Sequence, residues 1–353
     1  MSLVSNATMT MEETNSTGAN TMTSSSSRGV EFYFYWAILV LGVIGTAANG
    51  LILYALVASK QHKKHFLIVN QNALDLYSSI FLVITYSVKL GNIRLTGWLG
   101  FWLCKLLLND NLLWWGTLGS MINLAIIGIE RYMKIVHVTW SNTKLRQWMI
   151  YTAAAFAWII SIVYVVTLLV PTSTVVNGIC LNLIYFSAYS KLVSFIAIFI
   201  YISIVLIDIF CYGRILLVVR RQAKIMAVHA APGGSNASQN PVNQMQTNVT
   251  KTMVLVCGYY AVMWLPMQIS HLIMIYSTNP NKFLISGYYQ SLSIAYLYMC
   301  TNPFIYATKF DPIREVLLCI IPFKKTDAST TGISGVPREV RLVQPAPVDT
   351  LTG

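Results

Sequence analysis

The chain has 353 residues, of which 56% are apolar types and only 10% are charged, with a formal net charge of +12. An average soluble domain carries roughly 25% charged residues, so a water-facing surface for a chain of this length cannot be built from this set. The composition excludes a soluble enzyme, a disulfide-rich secreted domain and a nucleic-acid-binding domain, and it points to an all-α membrane protein.

Seven long apolar runs follow in chain order: Phe34–Ala58, Phe66–Val88, Leu103–Ile129, Trp148–Val170, Leu192–Val219, Met253–Tyr276 and Phe283–Phe310. Each is long enough to cross roughly 30 Å of hydrocarbon as a helix rising about 1.5 Å per residue. Helices are expected because every backbone polar group must be satisfied inside lipid, and the runs far exceed the ~10-residue alternating strands of a membrane barrel. No run repeats another in the manner of a transporter built from duplicated halves. The expected fold is a seven-transmembrane helix bundle, and the odd number of spans puts the two termini on opposite sides.

Orientation follows from the basic residues, which concentrate in cytoplasmic loops. Lys60, Lys63 and Lys64 follow the first run, and Arg131, Lys134, Lys144 and Arg146 follow the third. Arg214, Arg220, Arg221, Lys224 and Lys251 fall between the fifth and sixth, and Lys309, Arg314, Lys324, Lys325, Arg338 and Arg341 follow the seventh. This one side holds most of the 24 Lys and Arg, so the C-terminal tail is expected in the cytoplasm and the N-terminus outside, in a multi-pass protein of the plasma membrane. Topology and anionic membrane lipid account for the charge without a nucleic-acid partner.

Residues 1–32 then form an exterior tail, 33–320 the helical domain and 321–353 an interior tail. The first 30 residues are rich in Ser, Thr, Asn and Met and have no signal-peptide-like apolar segment, so disorder is expected there. Sequons at Asn6 and Asn15 lie on the glycosylated side, whereas those at Asn236 and Asn248 fall in the interior loop. Of the six cysteines, only Cys104 and Cys180 lie where the compartment favours oxidation, so they are expected to form a disulfide. Cys211, Cys257 and Cys300 read as small apolar packing residues. Cys319 closes a short amphipathic stretch, Asp311–Ile320, expected to be an eighth helix on the inner membrane face, and is a candidate palmitoylation site.

Several motifs occur in order at matching membrane depths: Glu130-Arg131-Tyr132, Trp158, Trp264-Leu265-Pro266 and Asn302-Pro303-Phe304-Ile305-Tyr306. With Asn49, Asn70, Leu74-Asp75 and the Cys104/Cys180 pair, they resemble the rhodopsin-like (class A) G-protein-coupled receptors over residues 33 to 320. The resemblance implies a receptor, not an enzyme, that activates a heterotrimeric G protein by an outward swing of the sixth helix.

Asp75 lies in mid-helix, where a carboxylate is costly and is a functional candidate by default. Ser120, Asn302 and Asn49 can surround it from neighbouring helices. The resemblance implies that Asp75, Ser120 and Asn302 hold an allosteric sodium ion in the resting receptor; the alternative is a protonated aspartate acting as hydrogen-bond glue. No other cofactor and no other metal is expected. The resemblance also implies that Glu130 restrains Arg131 until the G protein engages it. The inner end of the sixth run, Gln244-Met245-Gln246-Thr247, has no acid to act as a second restraint, which would raise the basal active population. Pro266 and Pro303 each remove a helical hydrogen bond and so create pivots. Trp264 and Tyr306 sit beside them, and Tyr212 is the partner the family implies for Tyr306 in the active state.

The ligand is harder to read. Receptors for amines carry an aspartate about two turns beyond the third-helix cysteine, and counting from Cys104 lands on Asn111, whereas counting back from Arg131 lands on Leu113, because this interval is longer than the family norm. Asp110 lies beside that place. The seventh run has Ser293-Ile294-Ala295-Tyr296 where retinal attachment would need a lysine. The outer ends offer Asp110, Asn111, Trp114, Gln268, His271 and Tyr296, with Trp98, Trp115, Tyr288, Tyr289 and Gln290 nearby. A polar and aromatic set of this kind suits a short peptide, the alternatives being a small amine-like ligand or a seven-helix transporter. Three departures accompany the match: Ile204 replaces the usual fifth-helix proline, Asp208 is an uncommon buried acid, and Met263 replaces cysteine in the sixth-helix motif. The hydroxyl-rich tail, Thr326 to Ser334, is expected to be a substrate for a receptor kinase and, once phosphorylated, a ligand for arrestin.

Overall fold

The structure is a computed structural model and describes residues 19–91, 93–182, 188–229, 241–277, 282–309, 313–314 and 316–317. Nine α-helices occur among the described residues: α1 (Ala19–Ala58), α2 (Phe66–Leu90), α3 (Gly97–Leu103), α4 (Asn111–Val136), α5 (Val138–Lys144), α6 (Gln147–Tyr164), α7 (Ala188–His229), α8 (Pro241–Tyr276) and α9 (Lys282–Lys309). Six of the spans they form are long and apolar enough to cross a membrane by length and composition, the second half of the third being α4. α9 completes the bundle as the seventh. α1 packs against α2 and α9, α2 against α4, α4 against α6 and α7, and α8 against α9. Large apolar side chains such as Phe199, Ile209 and Val262 point outward, as a hydrocarbon surround requires. The largest fully buried side chains are aromatic: Trp264, Tyr86, Tyr260, Tyr296 and Tyr306.

The helices differ from the sequence expectation in three places. α1 starts at Ala19, within the stretch expected to be a disordered tail. Once an apolar helix body has formed, adding residues to its end avoids the unfavourable nucleation step, and no proline stops this one. The third run is two helices rather than one. α3 passes into a π turn at Cys104–Leu108, and Asp110 then adopts a left-handed conformation (φ 59°) before α4 begins. This is where the long Cys104–Arg131 interval is absorbed, and aspartate is among the few residues that enter that region at small cost. The fourth run likewise ends in a π turn, Val165–Leu169, and a 3₁₀ turn around Pro171. α7 is α-helical throughout, so the missing proline at Ile204 leaves no bulge.

A hairpin, β1 (Ser173–Val176) with β2 (Ile179–Asn182), crosses the end of the bundle in antiparallel register, with Val176 opposite Ile179. Its two loop residues, Asn177 (φ 53°) and Gly178 (φ 77°), both have positive φ, which is the backbone a tight hairpin turn needs and the reason Asn-Gly is preferred there.

Candidate functional site

The candidate side chains fall into three layers through the bundle. At the end capped by the hairpin, a cavity of about 300 Å³ opens between the helices, and all six expected ligand residues, Asp110, Asn111, Trp114, Gln268, His271 and Tyr296, line it. Trp98, Trp115 and Gln290 are not among its lining residues. Trp115 follows Trp114 by about 100° around the helix and instead donates to the Trp158 carbonyl at 3.1 Å. The disulfide Cys104–Cys180 joins the π turn to β2, with Cα atoms 5.3 Å apart. Two further ties fix the hairpin. Lys105 donates to the carbonyls of Val170 (3.1 Å) and Ser173 (3.0 Å), and Asn111 donates to the Lys105 carbonyl (2.6 Å) and to Ser173 Oγ (3.3 Å).

The left-handed backbone at Asp110 swings its carboxylate to Lys89 of α2, whose Nζ lies 2.8 and 2.9 Å from the two oxygens. The same ammonium sits 4.5 Å over the ring of Tyr86, so it has its anion from the start of α4 and a cation–π contact within α2. Asp110 is therefore engaged from within the protein. His271 on α8 meets Ser194 Oγ of α7 at 3.0 Å. Trp114 links the cavity to the layer below, its ring centroid 6.1 Å from that of Trp264, which in turn lies 6.3 Å from Tyr260.

The middle layer centres on Asp75, which is fully buried. Ser120 donates to its Oδ1 at 2.6 Å, and Asn302 (3.1 Å) and Gln71 (3.4 Å) donate to its Oδ2. Gln71 also donates to Ser120 Oγ through a short hydrogen bond. The residues expected to hold sodium are thus together, but they meet the carboxylate with hydrogen-bond donors. Asn49 is not a partner of Asp75 in this arrangement. It donates to the Met299 carbonyl at 3.2 Å, the acceptor that Pro303, four residues on, leaves without its helical partner. Pro266 is likewise inside α8, and one turn before it Tyr201 of α7 donates to the Ala261 carbonyl at 2.8 Å.

The third layer lies at the opposite end. Glu130 Oε2 is 3.2 Å from Arg131 Nε, an ion pair without hydrogen-bond alignment, and Glu130 Oε1 is 2.5 Å from Lys134. Arg131 Nη2 reaches Nδ1 of His65, just before α2, at 3.5 Å. His65 is buried, and that burial, followed by the neighbouring Arg131, pushes its pKa down to about 3, so the ring is held neutral beside the guanidinium. Arg131 is thus contacted from the α2 side as well as by Glu130. Tyr132 meets His137 at 3.0 Å. Tyr212 and Tyr306 are both buried and make no hydrogen bond with each other. Asp208 packs against Gly128, where a Cβ would lie 2.7 Å from its Oδ1, and neither carboxylate oxygen has a nitrogen or oxygen donor among the described residues.

The model for "7 transmembrane receptor (rhodopsin family)" matches residues 48–306. The chain belongs to the rhodopsin family of seven-transmembrane receptors. Melanin-concentrating hormone receptor 1 of Sus scrofa is 25% identical over 311 residues, covering 80% of this chain and 78% of that receptor. The allatostatin-A receptor of Bombyx mori is 23% identical over 346 residues, covering 90% and 86%. Among solved structures, the crystal structure of squid rhodopsin shares the fold with a TM-score of 0.68 at 18% identity, covering 84% of this chain and 87% of that one.

Within this receptor, sequence reasoning missed Lys89, Gln71, Asn123 and His65. Lys89 and Gln71 lie fourteen and four residues from Asp75 on α2, positions that a helical-wheel projection from Asp75 would have put on its own face. His65 had a signal too, as a histidine in a basic loop one turn from the membrane edge. The sequons Asn6 and Asn15, the palmitoylation candidate Cys319 and the tail cluster lie outside the described residues. Of the expected eighth helix only 313–314 and 316–317 are described; they are helical, and Ile313 is buried.

Proposed function

We propose that this rhodopsin-family receptor stands in the plasma membrane with its N-terminus outside and binds a short peptide in the cavity beneath the hairpin. The observation that carries this reading is the charge state of that cavity. Its lining acid, Asp110, is held by Lys89 through both oxygens, so an entering amine would have to displace an internal cation, whereas neutral donors and acceptors such as Asn111, Gln268 and His271 stand among aromatic rings. Backbone amides and aromatic side chains of a peptide suit that lining. The names of the relatives, receptors for melanin-concentrating hormone and for allatostatin-A, support a ligand of the hormone class.

The ligand presses on Trp114, and the ring contact with Trp264 transmits the displacement to α8 beside Pro266. α8 swings outward about that pivot, Arg131 leaves Glu130 and His65, and the opened cleft accepts the C-terminal helix of a heterotrimeric G protein. Receptor kinases and arrestin end the signal at the hydroxyl-rich tail, and anionic lipid meets the basic inner face. The deciding experiment is G-protein activation in cells against a panel of short peptides and of amines. A peptide response lost in Trp114→Ala and His271→Ala at matched surface expression is expected. A response confined to amines and abolished by Asp110→Asn would overturn the peptide reading.

A further inference from the structure

We infer that the central carboxylate of this receptor works without a sodium ion, because the Gln71 amide stands where the ion's contacts with Asp75 and Ser120 would be. The inference does not depend on the nature of the ligand. It rests on the direction in which each hydrogen bond must point.

The chain of directions starts at Trp158, whose indole N–H can only donate, and it donates to Asn70 Oδ1 at 2.9 Å. With its oxygen so engaged, Asn70 turns its nitrogen to Asn123 Oδ1 at 2.9 Å. Asn123 must then present its own nitrogen, which reaches Gln71 Oε1 at 2.9 Å and the Leu67 carbonyl at 3.0 Å. Gln71 is therefore left with its nitrogen toward Ser120 and Asp75. An amide's orientation is ordinarily a choice made from its neighbours; here a donor-only group at the end of the chain makes that choice for all three amides.

The consequence falls on Ser120. Its proton goes to Asp75 and its oxygen receives the Gln71 N–H, so one of its two lone pairs is taken and the amide occupies the space between that oxygen and the carboxylate. Asn302 also faces the carboxylate with its nitrogen. Met299, next in the same layer, gives its carbonyl to Asn49 and its sulfur to the Thr117 hydroxyl at 3.4 Å, and a thioether is a poor ligand for a hard ion, which takes oxygen. Gln71, Asp75 and Asn123 are fully buried, so water does not compete for these bonds from bulk. A cation could enter only by rotating Gln71 away, which would strand an Asn123 donor in a dry seam.

The test is thermal unfolding of the purified full-length receptor in sodium chloride and in equimolar choline chloride, which needs no agonist. The wild type is expected to have the same Tm in both salts. Gln71→Leu, which removes the amide and leaves the Ser120 oxygen open, is expected to gain a sodium-dependent rise on the order of 2–4 °C by mass action on the folded state. Gln71→Leu combined with Asp75→Asn is expected to lose it. A sodium-dependent rise in the wild type that Asp75→Asn removes would overturn the inference, and this comparison stands even where a Gln71 variant fails to fold. Sodium-indifferent Tm values in both Gln71→Leu and Gln71→Met would equally overturn it, since Gln71 would then not be what keeps the ion out.

Discussion

The contact between His65 and Arg131 makes a quantitative prediction about basal signalling. A hydrogen bond from a charged donor contributes about 1.5–3 kcal/mol in good geometry, and at 3.5 Å this one is at the long limit, so about 1 kcal/mol is a reasonable figure for the restraint. Losing it in His65→Ala moves the resting equilibrium about fivefold toward the released form. The pH dependence has a definite sign. The imidazole is held neutral, its pKa lowered from 6.5 to about 3 by burial first and by Arg131 second, so departure of Arg131 removes the second cause and raises the pKa back toward its ordinary value. A lowered base favours its neutral form, so the restraint is complete above pH 6.5 and is lost progressively as pH falls from 6.5 toward 3, where the released form takes up the proton and the restrained form does not. At pH 6 the released form gains at most about fourfold, the ceiling set by a full return to 6.5. Agonist-free nucleotide exchange on the G protein, measured in membranes open on the inner side at matched receptor density, checks both numbers. His65→Ala should be raised and pH-insensitive, and His65→Lys, permanently cationic, should exceed it. Basal exchange in His65→Ala equal to the wild type, or a pH response that survives the substitution, would refute the reasoning.

Arg131→Ala should abolish G-protein activation while leaving surface expression and ligand binding nearly unchanged, and equal signalling at matched surface levels would contradict the assignment of Arg131 to the switch. Lys89→Met strands the Asp110 carboxylate, so the purified receptor should lose about 1–3 kcal/mol of stability, and the double variant with Asp110→Asn should recover most of it; a thermal-shift series reads this, and a double variant as unstable as the single one would show that the ion pair is not what matters. Alanine at Thr326, Ser329, Thr330, Thr331 and Ser334 should leave G-protein activation intact and slow agonist-driven internalisation, which a surface-labelling time course measures.

The sequence carried the bundle because lipid imposes one-sided rules. A span must be apolar and helical from end to end, so hydropathy finds it, and a buried charge must have a reason, so Asp75 and Arg131 stand out without neighbours being known. What it could not carry is whatever depends on how a helix is cut or which donor faces which acceptor. The third span reads as one apolar run, yet the π turn at Cys104–Leu108 and the left-handed Asp110 re-aim everything above α4, and only that break brings Asp110 to Lys89. The Asn-Gly pair at 177–178 was a legible turn signal inside an otherwise apolar stretch, which a search for spans passes over. Asp75 illustrates the deeper limit. A carboxylate, a serine and an asparagine at those three positions are equally consistent with an ion and with a hydrogen-bonded cluster, because composition does not fix the direction of a hydrogen bond. Direction came from Trp158 on α6, through Asn70 and Asn123 to Gln71, so the way Gln71 faces the central carboxylate is decided by groups that never touch it.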